Sequence, residues 1–443
     1  MQPVKQPESL TLQNLWFLQI GNLWKFFKGE SLAFKSICIY LFIEYFRPQS
    51  IFPVINFLPW AQIFLTLALV AFVMDKKAKL TFTTFHVLIL FFAIAIHMSF
   101  LVAYNINWST NNYIFFIQWI VVFYLATGIV NTKERLYVFF LVMFMCSLKV
   151  AFGTARVWAF RGFSFTTWGL MGPPGYFQNS GELAILMLIL FPLGYMLYRD
   201  NKDNVRVWEK YVLMAAWVCP LLTILGSSSR GAQLALAVQL VVLFYKQIFK
   251  PKVLIGATLL VSIGWHVLPD EQKARFTDIG EDKSSLQRKL YWKHGWNIMK
   301  EYPVLGIGYF NFIPYYRDHY PQDMLYGKAE LPHNIFLQIG TDAGFIGLFF
   351  YLILIIFALT KRLPNFPLHP DPGDKILLAM WRGLRLGIIG FVMAGQFVTV
   401  GYYPFLWISL ALQASLLLVY QNKQQGIAHG EQQGLPARSS GNS

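Results

Sequence analysis

The chain of 443 residues is short of charge: Asp, Glu, Lys and Arg make up 13% of it, about half of what a soluble fold carries. Cysteine is scarce too. Cys38, Cys146 and Cys219 all lie in apolar runs, so they read as small core residues and no disulfide framework is implied. Several chemical signatures are missing. There is no His-Glu-x-x-His, no Cys-x-x-Cys, no Asp-x-Asp and no Walker lysine, and no ATP-driven chemistry is indicated. Gly306-Ile-Gly-Tyr-Phe-Asn lacks the third glycine of a dinucleotide turn. Asp318, His319 and Asp323 are conceivable metal ligands, but nothing in their spacing demands a metal. No internal repeat of the transporter kind is visible.

What the chain has is apolar and aromatic surface: 56% hydrophobic and 17% aromatic residues. That composition defines an all-α polytopic membrane protein. Twelve apolar runs lie at about 33–46, 59–74, 85–103, 112–130, 136–152, 182–198, 211–225, 231–249, 253–267, 335–360, 377–400 and 405–420. The net charge of +15 is distributed as membrane topology rather than as a nucleic-acid surface. Alternate connecting loops are basic (Lys76, Lys77 and Lys79; Lys133 and Arg135; Lys246, Lys250 and Lys252), while the loops between them carry few cations. The positive-inside rule then places both termini in the cytoplasm. The first thirty residues carry Trp16, Phe17 and Lys25 without a small-residue cleavage site. An interfacial helix is expected there rather than a removable signal. The expected division is an interfacial segment 1–32, spans one to nine over 33–267, an outer loop domain 268–332, spans ten to twelve over 333–420, and a disordered cytoplasmic tail 421–443.

Four places can carry chemistry. The first is Gly226-Ser-Ser-Ser-Arg230-Gly231, a break between two apolar runs. Such a break opens a helix whose N–H groups and dipole favour a phosphate, and Arg230 adds a planar charged fork. Ser229 and Arg230 are the binding candidates there. The competing role for Arg230 is snorkelling to lipid headgroups. The second is the segment 268–332, with nine basic and nine acidic side chains between Asp270 and Glu330. Ser284 and Ser285 can cap a helix running to about Lys300, and its Arg288 can close over an anion, unless it only belongs to a solvated face with Lys289 and Lys293. The third is the Gly- and Trp-rich stretch 153–181, where Arg156 and Arg161 flank aromatic residues suited to sugar faces or phosphates, or to an ordinary interfacial belt.

The fourth, Pro332-His-Asn-Ile-Phe-Leu-Gln-Ile-Gly-Thr-Asp-Ala-Gly-Phe-Ile-Gly347, closes the polar loop and opens an apolar run. A helix starting at Pro332 puts His333, Leu337, Gly340, Gly344 and Gly347 on one face, where the glycines allow close helix approach. His333 then points into the bundle at the water boundary, to pack or to react. Asn334 orients a ligand or caps the helix. Charges inside the runs are Lys35, Glu44, Lys149, Glu182, Asp342 and Arg385. Glu44 can pair with Arg47 one turn on. Asp342 falls opposite His333 in helical angle, so pairing with a basic residue on another span is expected.

In order, Gly-Ser-Ser-Ser-Arg-Gly-Ala, Arg-Lys-Leu-Tyr-Trp, Tyr-Pro-Val-Leu-Gly-Ile-Gly-Tyr-Phe-Asn-Phe and the Pro-His-Asn segment resemble the O-antigen ligase/polymerase superfamily. The resemblance covers roughly residues 153–359. The N-terminal Tyr-Phe-Arg-Pro-Gln-Ser-Ile-Phe-Pro also looks like exosortase-associated O-glycosylation ligases. The resemblance implies a GT-C-like bundle with a large helical periplasmic loop domain between spans nine and ten. It implies transfer of a glycan from undecaprenyl diphosphate to an acceptor hydroxyl at the periplasmic face, without cofactor or metal and with inversion. Lipid A-core, a growing glycan and a protein are the acceptors of the ligase, polymerase and protein-glycosylating branches. By motif, His333 matches the essential histidine, and Arg230 and Arg288 match the diphosphate-binding arginines. Asp342 stands where the family often has Glu. O-antigen ligation to lipid A-core is the first expectation. A twelve-span transporter or lipid flippase and a non-catalytic subunit are the readings from other classes.

Overall fold

A computed structural model describes residues 11–15, 18–166, 168–267, 270, 273, 280, 282–364 and 366–433. It is all-helical, with no strand among the described residues. Each apolar run lies on a helix, as a polytopic membrane protein requires. Eight helices are long and apolar enough to cross a membrane: Thr84–Leu101, Ile106–Ile129, Lys133–Phe160, Ser180–Asn201, Val207–Gly226, Ile335–Thr360, Pro372–Ala394 and Pro404–Gln421. The other four runs form shorter helices, Leu32–Phe46, Trp60–Met74, Arg230–Leu243 and Pro251–Val267. By length and composition, eight of the twelve expected runs are thus candidate spans among the described residues. A 15-residue helix reaches only about 22 Å. The first of the four ends where Arg47 turns left-handed (φ +57°) before Pro48.

Ser180–Asn201 is a central, largely buried helix. It packs along Pro372–Ala394 and Val207–Gly226. Leu69, Val70, Ile94, Ile114, Phe349 and Ile356 stay exposed on outward faces, which suits lipid contact. The last helix runs on to Gln433, so the segment from 421 to 433, expected as disordered tail, is helical; 434–443 lie outside the described residues. Helix Ile20–Gly29 leaves Trp24 exposed while Phe26 and Phe27 pack on the core.

One end of the bundle is closed by ion pairs. The buried Arg135 donates to Glu30 Oε2 at 2.6 Å, Asp75 Oδ2 at 3.1 Å and Ser31 Oγ at 3.1 Å. Beside it Asp374 pairs with Lys133 and accepts from the Tyr420 hydroxyl at 2.9 Å.

The other end carries the loop domain. Its helix Lys283–Glu301 is capped by Asp282 rather than by the expected Ser284 or Ser285: the Asp282 carboxylate accepts from Ser285 N–H at 3.0 Å and Ser285 Oγ at 2.6 Å. Tyr291, Ile298, Phe312 and Tyr316 form a small core of their own, joined by the short helix Phe312–His319. This unit packs on Ile335–Thr360. That long helix is interrupted at Ala343 and Gly344, where φ of Gly344 is +63°. A Cβ on Gly344 would stand 2.5 Å from the Val304 carbonyl carbon, and one on Gly340 would stand 2.4 Å from Met299 Cε. The glycines do permit close approach, but the neighbour is the loop domain, and the break prevents one continuous glycine face.

Candidate active site

The loop domain roofs a cavity of about 720 Å³ at this end. Five stretches meet there. Asn179–Glu182 opens the central helix, Ser228–Gly231 joins two helices, Asp282, Ser284 and Arg288 come from the loop helix, and 328–333 and 397–403 close the wall.

Helix Val207–Gly226 stops at the expected break, and Arg230–Leu243 begins with Ser229 at the cap position, whose side chain makes no capping bond. Early N–H groups of such a helix lack intrahelical partners and favour an anion. Ser228, at φ +57°, has a buried hydroxyl without a hydrogen-bond partner among the described residues. Arg230 lines the cavity and donates to Asp282 Oδ2 at 3.1 Å. Burial pushes the Asp282 carboxyl up, but the bonds from Ser285 and Arg230 outweigh it and hold it at about 2. Arg288 also lines the cavity, and its buried Nε has no partner among the described residues. Burial, and then the nearby Arg230 charge, depress its ordinary value. Two cations kept close in a half-buried cavity are an unfavourable arrangement that an anion between them would relieve.

His333 lines the same cavity, though not from a helix. The expected start at Pro332 is wrong by three residues. The helix begins at Ile335, because Asn334 caps it, accepting from Phe336 N–H at 2.9 Å and Leu337 N–H at 3.1 Å. His333 precedes the cap at φ +51°. Its N–H donates to Thr399 Oγ1 at 2.8 Å, and Pro332 C=O accepts from Trp292 Nε1 at 3.0 Å. Strained backbone of this kind persists where surrounding bonds fix it. The ring lies with Nε2 3.5 Å from Glu330 Oε2.

Of the residues proposed from sequence, Ser229, Arg230, Arg288 and His333 thus come together. Three do not. Asn334 spends its side chain on the cap and on Gln396 Oε1 at 3.1 Å. Arg156 and Arg161 stand exposed at the end of Lys133–Phe160 and do not line the cavity. Asp342 is buried beneath the loop domain, and its partner is the Tyr402 hydroxyl at 3.0 Å instead of a base. Glu44 and Arg47 do pair, at 3.7 Å. The conceivable metal ligands are separately engaged: Asp318 accepts from the Tyr104 hydroxyl, and Asp323 Oδ2 lies 2.6 Å from His294 Nε2.

Three acidic residues of the cavity wall, Glu182, Asp282 and Glu330, were not among the site residues expected from sequence. Glu330 was counted only in the neutral loop, although its place three residues before His333 was a signal. Glu182 was noted as a charge within an apolar run. It faces the cavity and accepts from the Tyr403 hydroxyl at 2.7 Å.

These features define a polytopic membrane protein with a polar cavity over an anion-favouring helix start. Residues 215–352 match the family model described as O-Antigen ligase, so this part of the chain is similar to that family. The matched segment contains Arg230, Arg288 and His333. The N-terminal likeness lies outside it. No curated protein gives a significant match.

Proposed function

We propose that the protein transfers a glycan from undecaprenyl diphosphate to an acceptor hydroxyl, as a metal-independent, inverting glycosyltransferase of the O-antigen ligase type. Lipid A-core is the acceptor of first choice. The enzyme is a multi-pass protein of the bacterial inner membrane, with both termini in the cytoplasm and the cavity facing the periplasm. The observation that carries the reading is the convergence of Arg230, Arg288 and His333 on one cavity.

The leaving group is already a diphosphate, so it needs charge stabilisation rather than protonation. Arg230, Arg288 and the N–H groups after Ser229 supply that at the breaking sugar–phosphate bond. The attacking hydroxyl must lose a proton, for which the imidazole of His333 is the base.

The test is reconstitution with an undecaprenyl-diphosphate-linked glycan and three competing acceptors: lipid A-core, a second lipid-linked glycan and a protein. Mass spectrometry of the product assigns ligase, polymerase or protein-glycosylating activity. Transfer should persist in excess EDTA; strict metal dependence would contradict the mechanism. His333→Ala should lower transfer by on the order of 10²- to 10⁴-fold while the protein still inserts and folds. Glycan translocation without any acceptor would favour a transporter.

A further inference from the structure

We propose that Glu330 is a positioning residue for His333: its carboxylate holds the Nε2–H, leaving Nδ1 to take the acceptor's proton. This deepens the assignment of His333 as base and rests on it. Nε2 lies 3.5 Å from Glu330 Oε2, within ion-pair range. Glu330 is itself fixed. Its Oε1 meets Lys328 Nζ at 2.8 Å, and its N–H donates at 2.9 Å to the hydroxyl of Tyr291, a fully buried residue of the loop helix. The backbone of His333 is pinned at Thr399. Carboxylate and ring are thus held to one another by the loop helix at Tyr291 and the segment at Thr399, with Lys328 adding a contact from their own loop.

An ionised carboxylate can only accept hydrogen bonds. The bond from His333, with further help from Lys328, overcomes partial burial and holds Glu330 at about 2, so it is ionised at neutral pH. The ring nitrogen facing it must therefore carry hydrogen. In a neutral imidazole the other nitrogen, Nδ1, then has the lone pair. As the acceptor attacks, its O–H bond breaks and the proton passes to Nδ1. The acceptor oxygen bonds to the anomeric carbon, and the carbon–oxygen bond to phosphate breaks. Its electron pair leaves on the diphosphate held by Arg230 and Arg288. The imidazolium then faces Glu330, and the long contact tightens as charge develops. The other charged or titratable groups lining the cavity are Arg230, Asp282, Arg288, Lys328, Glu182 and Tyr403. Both partners are about a third exposed, at 30% and 38%. The pair thus adds little to fold stability, and its value is orientation.

The test uses the full-length protein in nanodiscs, with undecaprenyl-diphosphate-linked glycan and lipid A-core as probes. Glu330→Gln keeps an acceptor oxygen but not the charge. It should lower kcat on the order of 10- to 100-fold and leave donor KM and melting temperature unchanged. The acid limb of its rate profile should move to lower pH, and Glu330→Asp should regain part of the rate. A wild-type kcat and pH profile in Glu330→Gln, with His333→Ala inactive, overturns the positioning role and leaves the base in place. An active His333→Ala overturns the base and the pairing with it. One readout needs no turnover: ¹⁵N spectra of histidine-labelled protein, assigned by difference against His333→Ala. The Nε2–H tautomer is expected, and the Nδ1–H tautomer overturns the proposal, even if Glu330→Gln fails to fold.

Discussion

At one end of the bundle Arg135 is wholly buried and meets Glu30, Asp75 and Ser31. At the other, Arg288 is half-buried, its Nε unmatched among the described residues, beside Arg230, which donates to Asp282. The same side chain serves two purposes. Where carboxylates surround the guanidinium, its charge is spent on joining helices. Where a second cation stands nearby instead, the charge is left for the donor diphosphate under the proposed function. The first arrangement fixes the fold; under the proposed function the second costs stability and serves the anionic donor.

This contrast can be broken experimentally. Arg135→Ala removes the buried cation shared by Glu30 and Asp75, leaving Glu30 only the exposed Lys77 at 3.5 Å, and should cost about 3–5 kcal/mol. That cost is read as loss of folded protein in a thermal or denaturant titration, with the turnover of what remains folded unchanged. Arg288→Ala should do the reverse: transfer falls by on the order of 10²- to 10³-fold, about 2.7–4 kcal/mol in barrier, with little change in melting temperature. If Arg288→Ala instead unfolds the protein and leaves turnover per folded molecule intact, the two ends do not differ in kind. Asp282→Asn has the smallest effect. Asparagine still caps the loop helix, but the ion pair to Arg230 is gone. Asp282 is held at about 2, below its ordinary 3.8, so its charge contributes stability fully above about 4, lost as pH falls through about 2. The wild type should therefore melt above Asp282→Asn at pH 7, and the gap should close on acidification toward pH 2. A gap that widens toward low pH would mean that Asp282 is not stabilised as the anion.

The positions of the helices were legible in the sequence because the signals are local. Apolar runs, the Gly-Ser-Ser-Ser break before Arg230 and the stop at Tyr302-Pro303 each act within a few residues. The start of the helix after the loop was misplaced, because Pro332 and Asn334 are both good start residues. Only the contacts at Thr399 and Trp292 choose between them. Asp342 was assigned a basic partner on the general cost of intramembrane charge. The fold gives it Tyr402 from a segment 60 residues away. Arg156 and Arg161 had the composition of a sugar-binding loop, but their helix end does not reach the cavity.

By itself, the sequence determined an all-helical membrane protein with a helix break at Arg230, a helix carrying Arg288 and a histidine at a loop-to-helix junction. Those follow from hydropathy, capping and chain stiffness, which operate over one or two turns. The tertiary structure alone decided that these three points share one cavity, that Glu330 faces the His333 ring, and that Arg135 is closed off while Arg288 is not. Arg230, Arg288 and His333, like Arg135 and its carboxylates, come from segments far apart in the chain, and although Glu330 is a near neighbour of His333, its facing depends on how their loop is pinned at Tyr291 and Thr399; no local pattern encodes such packing.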